Sequence, residues 1–402
     1  MKKIKYILAL VCLITSGQHV MAQVSNNNED GVTKIDTRDS RHDYVPDELL
    51  IKFKDENRIV VNARRGASLT TSSERLTSIL QKHDVAEMKQ LLPSEKPNRK
   101  LRSARAFNGE LIVEQDLSQL YHVKFYGNQY GEMEQLLEEL NALDEVEYAE
   151  PNYYCYIMNE SYIAESYGTN PLAKKQWHLD AYGVTELWDK PIINPERPVI
   201  AIIDTGVDID HPDLKDNIVA GYDFVNNTSR MKDDNMHGTH VAGIAAASNN
   251  KTGIVGANPM ALIMPIKVLG ANGAGTTATV LQGVNYAVEH GAKILNLSLG
   301  SYGYSKAAAQ VYKNASLQTI IVAAAGNDGK CIYASHSGLL KHGNQPAPSF
   351  PGAYSFVLGV QATNRTGGLA SFSNYDDDGP RYSCESSLDE PDGFNYELKA
   401  PG

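Results

Sequence analysis

"PVIAIID", residues 198–204, is an apolar run with four β-branched members that ends in an aspartate. No polar residue interrupts it. A strand with one wet face alternates apolar and polar residues, so an unbroken run predicts a strand covered on both faces. Working outward, four more such runs follow: "LIMPIKVL" (262–269), "AKILNLSL" (292–299), "TIIVAAAG" (319–326) and "FVLGVQA" (356–362). Helical stretches lie between them. "TATVLQGVNYAVEHG" (277–291) places Val280, Leu281, Val284, Ala287 and Val288 on one face. Strands of this kind alternating with helices predict an α/β fold, a parallel sheet with helices on both faces. Functional residues of such sheets gather at the carboxyl ends of the strands. That places Asp204, Ser298, Leu299, Gly300, Gly326 and Asn327 along one edge.

A carboxylate at the end of a buried strand is costly unless something pairs with it. For Asp204 that partner is a histidine ring N–H or, alternatively, the backbone of a helix it caps. His237 opens "HGTHVAGIAAA" (237–247), where Gly238 lets the backbone approach a neighbour closely. Histidine is the usual proton carrier near neutral pH. His240 is three residues further on. The pair lacks the acidic partner of H-E-x-x-H, which argues against zinc and leaves His240 as a packed core histidine. Asn327, in "AAAGNDG", is either a turn residue or an amide donor to a developing oxyanion.

Taken in order, Asp-Thr-Gly after a strand, then His-Gly-Thr-His-Val-Ala-Gly, then Asn at a strand end, the chain resembles the subtilisin-like serine proteases over nearly all of 176–402. The resemblance implies roles residue by residue. Asp204 orients the imidazole, His237 is general base and then general acid, and Asn327 donates to the oxyanion. Gly273–Gly275 and Ser298–Gly300 clamp an extended peptide substrate, and Ala324–Gly326 line the pocket for the side chain before the scissile bond. It further implies a structural calcium. Asp213 would bind it with the side chain of Asn250, the carbonyls of Ser248, Thr252 and Ile254, and Gln176 as a further ligand.

The N-terminal half reads differently. "MKKIKY" and "ILALVCLITSG" form the positive and apolar regions of a signal peptide, with cleavage expected after Ala22, which sends the protein to the periplasm, cell surface or medium. Residues 23–43 are polar and aperiodic, a linker. Residues 44–154 give a strand ("ELLIKFK", 48–54), a helix capped by serine ("SSERLTSILQKH", 72–83), a strand ("LYHVKFYG", 120–127), a helix with Met133, Leu136, Leu137, Leu140 and Leu143 on one face, and a last strand stopped at Pro151. That order predicts a small α+β, ferredoxin-like sandwich. "YVPDELLIKFK" and "VEYAEPNYY" resemble the first and last strands of the family's propeptide, which implies an intramolecular inhibitor. Residues 155–175 read as an exposed connector where processing falls.

Of 402 residues, 42% are hydrophobic and 21% charged, and the net charge is −11. An acidic balance argues against nucleic acid as a partner. The basic stretch "KPNRKLRSAR" (96–105) reads as a solvated loop. No run after the leader reaches transmembrane length. Beyond the leader stand Cys155, Cys331 and Cys384. No C-x-x-C occurs, and an exported chain permits one disulfide, for which Cys331–Cys384 is the expected pair.

The family's nucleophile lies in G-T-S-M-A soon after a segment ending "APG". This sequence ends "ELKAPG" at Gly402, and no Gly-Thr-Ser occurs in it. "DDDGPRYSCESSLDEPDGFNYEL" reads as an insertion. The expectation is a secreted serine endopeptidase, made as a zymogen, whose serine lies beyond this stretch, so that residues 1–402 alone are inactive. The alternative is a non-catalytic secreted protein that binds or inhibits.

Overall fold

The computed structural model describes residues 44–54, 58–62, 69–96, 100–105, 109–127, 131–158, 172, 176–188, 197–329, 348–375 and 398–401. The expected leader, linker, Cys331–Cys384 pair, all but the last residue of the "DDDGPRYSCESSLDEPDGFNYEL" insertion and most of the 155–175 connector lie outside them.

The N-terminal unit is a four-stranded antiparallel sheet. Its strands are β1 (Tyr44–Phe53), β2 (Val85–Gln90), β5 (Leu120–Phe125) and β6 (Val146–Ile157), with helices α1 (Glu74–Lys82) and α2 (Met133–Asn141). The spatial order is β6-β1-β5-β2, the split arrangement of ferredoxin-like sheets. Ser73 caps α1 by accepting from the Leu76 N–H at 3.2 Å. Leu49, Ile51 and Phe53 of β1 point under α1 and α2, against Leu76, Leu80, Leu136 and Leu140. Leu50 points the other way, into a core shared with the C-terminal unit. A short hairpin, β3 (Ser103–Arg105) and β4 (Leu111–Val113), interrupts the unit.

The C-terminal unit, entered through two short helices, α3 (Trp177–Ala181) and α4 (Val184–Trp188), is a seven-stranded parallel sheet. Its strands are β7 (Val199–Asp204), β8 (Tyr222–Asp223), β9 (Leu262–Lys267), β11 (Ile294–Leu297), β13 (Ile320–Ala324), β14 (Leu358–Thr363) and β15 (Leu398–Pro401). Their order is β8-β9-β7-β11-β13-β14-β15. Ile200 and Ile202 pack under helix α5 (His237–Ala246), while Ala201 and Ile203 face helices α6 (Thr277–Glu289) and α7 (Lys306–Ser316). Both faces of β7 are therefore buried, which accounts for its unbroken apolar sequence. Each fully buried isoleucine contributes roughly 1.5–3 kcal/mol. Two short strands, β10 (Ala274–Thr276) and β12 (Leu299–Gly300), stand off this sheet and pair with β6 instead.

Three readings are corrected. The last strand of the N-terminal unit does not stop at Pro151. It runs to Ile157, so Cys155–Ile157 are strand and not exposed connector, and Cys155 is buried. Proline is tolerated there because β6 gains a partner on its second side only from Tyr154 onward. The basic stretch 96–105 is not wholly a loop, since its last three residues form β3, and Arg102 grips Glu114 at 2.8 Å. His240 is not a core residue, as described below. Strands β2, β4, β8 and β15 went unread because each is short or polar.

Candidate active site

Asp204 is the last residue of β7 and is fully buried. Its Oδ1 accepts the Thr205 N–H at 2.7 Å and meets His237 Nδ1 at 2.7 Å. Its Oδ2 is buried without a hydrogen-bond partner among the described residues. His237 is the first residue of α5, and Met236 before it adopts a left-handed φ of 85°. Gly238 makes the approach possible: a Cβ there would lie 2.0 Å from the Gly206 carbonyl oxygen and 3.2 Å from Asp204 Cβ.

Burial alone would lower the His237 pKa. The Asp204 charge and hydrogen bond, the Asp233 charge and a hydrogen bond to the Met158 backbone outweigh it and raise the ring above its ordinary value. The ring is thus a stronger base than free imidazole. Among the described residues no serine hydroxyl bonds to it. His240 lies on the same helix face and is exposed to the adjoining cavity; desolvation there and the His237 charge lower its pKa.

Two charged residues that the sequence did not single out hold this geometry. Asp233 accepts from Thr205 Oγ1 (2.9 Å), Asn235 N (2.9 Å), Met236 N (3.1 Å), Thr239 N (2.9 Å) and Thr239 Oγ1 (2.6 Å). Burial pushes its pKa up, but these bonds win and hold it below the usual carboxylate range. It ties the turn after Asp204 to the first turn of α5. Lys267, at the end of β9, is 1% exposed. Its Nζ donates to the carbonyls of Thr205 (2.7 Å) and Leu269 (2.8 Å) and to Asp234 Oδ1 (2.6 Å). In sequence both aspartates sit in "KDDN", which reads as a solvated charge run. No local signal separates it from one.

The end of β6 lies in a groove beside this pair. It runs antiparallel between β10 and β12, with Cys155 opposite Gly275, Tyr156 opposite both Ala274 and Gly300, and Ile157 opposite Leu299. The Ile157 N–H donates to the Gly273 carbonyl and the Met158 N–H to the Ser298 carbonyl, each at 3.0 Å. Further up the strand, Glu150 caps α7, accepting from Ser305 Oγ (2.6 Å), Lys306 N (2.9 Å) and Ala307 N (3.1 Å). Asn152 Oδ1 accepts from Ala278 N in the first turn of α6 at 3.1 Å.

Met158, His237 and Asn327 line one cavity of about 1120 Å³ that extends along α5 past His240. Asn327 follows Gly326, whose φ is +104°. Asn374 props that turn, donating to the Ala325 carbonyl (2.9 Å) and accepting from the Asp328 N–H (3.1 Å). The structure thus brings Asp204, His237, Gly273, Gly275, Ser298, Leu299, Gly300, Gly326 and Asn327 to one edge of the sheet.

The calcium set lies further along α5. Asp213 Oδ1 is buried with no hydrogen-bond partner among the described residues, while its Oδ2 accepts the Ile254 N–H at 3.0 Å. An orphaned carboxylate oxygen inside an oxygen-rich loop suits a hard cation. Gln176 is turned onto Val255, accepting its N–H at 3.0 Å and donating to its carbonyl at 2.9 Å. Asn250 Oδ1 accepts the Thr252 N–H at 2.8 Å, and Ser248 N donates to the Asp213 carbonyl at 2.9 Å. Among the described residues no group of three or more His, Cys, Asp or Glu side chains could hold a metal ion, so the fit rests on the unpartnered Asp213 Oδ1 and on the amide oxygens of Gln176 and Asn250, each of which retains a second lone pair.

The parallel sheet, the strand-end aspartate paired with a helix-opening histidine, and the peptide-width groove define a subtilisin-like α/β fold. Fervidolysin from Fervidobacterium pennivorans, described as a keratinolytic enzyme related to subtilisin, shares the fold: TM-score 0.57 and 21% identity, over 88% of this chain and 52% of that one. The Subtilase family model (peptidase S8) matches residues 196–402, and the chain belongs to that family. A thermophilic serine proteinase of Bacillus sp. (strain AK1) is 37% identical over 63% of this chain and 58% of its own length. Thermitase from Thermoactinomyces vulgaris is 40% identical over 50% of this chain and 67% of its own length. Among the described residues no helix is long and apolar enough to cross a membrane.

Proposed function

We propose that this chain is the zymogen of an exported serine endopeptidase that hydrolyses peptide bonds. One observation carries the reading. The Asp204–His237 pair, 2.7 Å apart, stands beside a groove in which the chain's own Tyr154–Ile157 already lies as a strand. Extended peptides bound by strand addition take affinity from main-chain hydrogen bonds.

In this reading His237 takes the proton of a serine hydroxyl and later gives it to the leaving amine. Asp204 holds the ring tautomer and stabilises the imidazolium. Asn327 donates to the oxyanion of the tetrahedral intermediate. The serine is carried by sequence that follows Gly402. Residues 1–22 direct export to the periplasm, cell surface or medium, and 23–43 link the leader to the next unit. Residues 44–154 act as intramolecular inhibitor, and their tail fills the groove until it is cut. Calcium held by Asp213, Asn250, Gln176 and the carbonyls of Ser248, Thr252 and Ile254 would brace the loop after α5. Polypeptides are the substrates.

Expression of the gene together with the sequence following Gly402 tests this. The product hydrolyses a casein substrate, His237→Ala abolishes the activity, and the 402-residue chain alone shows none. Asn327→Ala lowers kcat by about 10²–10³ with little change in KM. A folded but inactive long product would favour the second reading, a non-catalytic peptide-binding protein. The observation on its side is that residues 1–402 contain no Gly-Thr-Ser.

A further inference from the structure

The register of the tail singles out one bond. Two contacts fix that register far upstream: Glu150 on the N-terminus of α7 and Asn152 on the first turn of α6. A slip of β6 by even two residues would break both. With them in place, main-chain pairing runs on both sides of the tail up to the Met158 N–H, which donates to the Ser298 carbonyl at 3.0 Å. Met158 lines the cavity that holds His237 and Asn327. The bond that follows Met158 is therefore the first beyond the paired register and lies beside the base.

The side chains of the tail are accommodated one by one. A Cβ on Gly300 would lie 2.2 Å from Met158 Cε, and one on Gly273 would lie 2.8 Å from Ile157 Cδ1. Cys155 is buried, with its Sγ 3.8 Å from Thr277 Oγ1 and the buried Tyr312 in the same cluster. Burial pushes the thiol up to about 12, so it is a neutral, small apolar occupant.

We propose that self-processing cuts the bond on the C-terminal side of Met158, so that the mature chain begins at Asn159. The groove then selects an unbranched apolar side chain at the Met158 position and a small one at the Cys155 position, with Gly300 setting the first preference. This rests on the endopeptidase reading above. In the step, a serine hydroxyl adds to the Met158 carbonyl carbon while His237 takes its proton. The C–N bond breaks as that proton passes to the amine of residue 159. Water then hydrolyses the ester: its oxygen stays in the Met158 carboxylate, and the serine hydroxyl is restored.

Two measurements test the proposal. In the 402-residue chain carrying His237→Ala, hydrogen exchange resolved by residue should show the Ile157 and Met158 amides protected. Exchange of both at free-peptide rates would overturn the assignment outright. In the longer gene product, N-terminal sequencing of the processed form should return Asn159. It should do so also for Met158→Leu, since position and not identity fixes the cut. Gly300→Val should slow processing roughly tenfold or more through overpacking. Adding Met158→Ala should restore part of the rate, which separates a filled subsite from a misfolded variant. A mature terminus anywhere else in 160–175, or equal processing rates for Gly300→Val and the parent, would overturn the proposal. Protected amides with no processing at all would instead bring down the endopeptidase reading, and the scissile bond with it.

Discussion

Asp204 and Asp233 flank the same histidine and use their oxygens in opposite ways. Asp233 has five donors on its two oxygens, from Thr205, Asn235, Met236 and Thr239. Asp204 is more deeply buried, yet one of its oxygens has no partner among the described residues and the other serves a backbone N–H and the His237 ring. A carboxylate saturated by fixed donors is fastened down; Asp233 holds the loop, and its charge raises the His237 pKa less than that of Asp204 does. A carboxylate with one engaged edge keeps its field directed at the imidazole. The molecule places a structural acid four residues before His237 and an electrostatic acid 2.7 Å from its ring, and the count of donors tells them apart.

The largest effect expected from breaking this contrast is at Asp204. Asp204→Asn keeps the shape, removes the charge and favours the wrong imidazole tautomer. In the gene product that includes the sequence after Gly402, kcat/KM should fall by about 10⁴, with the melting temperature little changed. At Asp233 the expected order is reversed, stability first and activity second. Asp233→Ala orphans N–H groups at the start of α5 and should cost about 2–3 kcal/mol in urea unfolding. The pH dependence follows in sign. The Asp233 pKa is lower folded than unfolded, so its contribution is full above the unfolded value near 3.9 and is lost as pH falls through the folded value. Asp233→Ala should flatten the acid limb of the stability profile, measured as unfolding free energy against pH. The smallest effect is expected at Lys267. Lys267→Met preserves most of the volume but leaves the Thr205 and Leu269 carbonyls without their donor, for about 1–2 kcal/mol in the same assay.

The readable part of this site was the part encoded locally. β7, β9 and β13 announce themselves because burial on both faces forces continuous apolar sequence, and Asp204 and His237 fall at their proper ends. Asp233 and Lys267 stayed hidden because the bonds that tie them to Thr205, the residue after Asp204, span 28 and 62 residues of sequence. The extension of β6 through Pro151 was hidden for the same reason. Its partners in β10 and β12 come more than a hundred residues later, and its own sequence is polar and rich in tyrosine. His240 is a different case. Its signal was present: a residue three positions after His237 shares its helix face and so opens onto the same cavity.

The Asp204 field acting on His237 can be read directly by NMR titration of the ring in the 402-residue chain with labelled histidine. The predicted result is a His237 pKa above the ordinary 6.5 that drops when Asp204 is replaced by asparagine. A His237 pKa at or below 6.5 that Asp204→Asn leaves unmoved would contradict it.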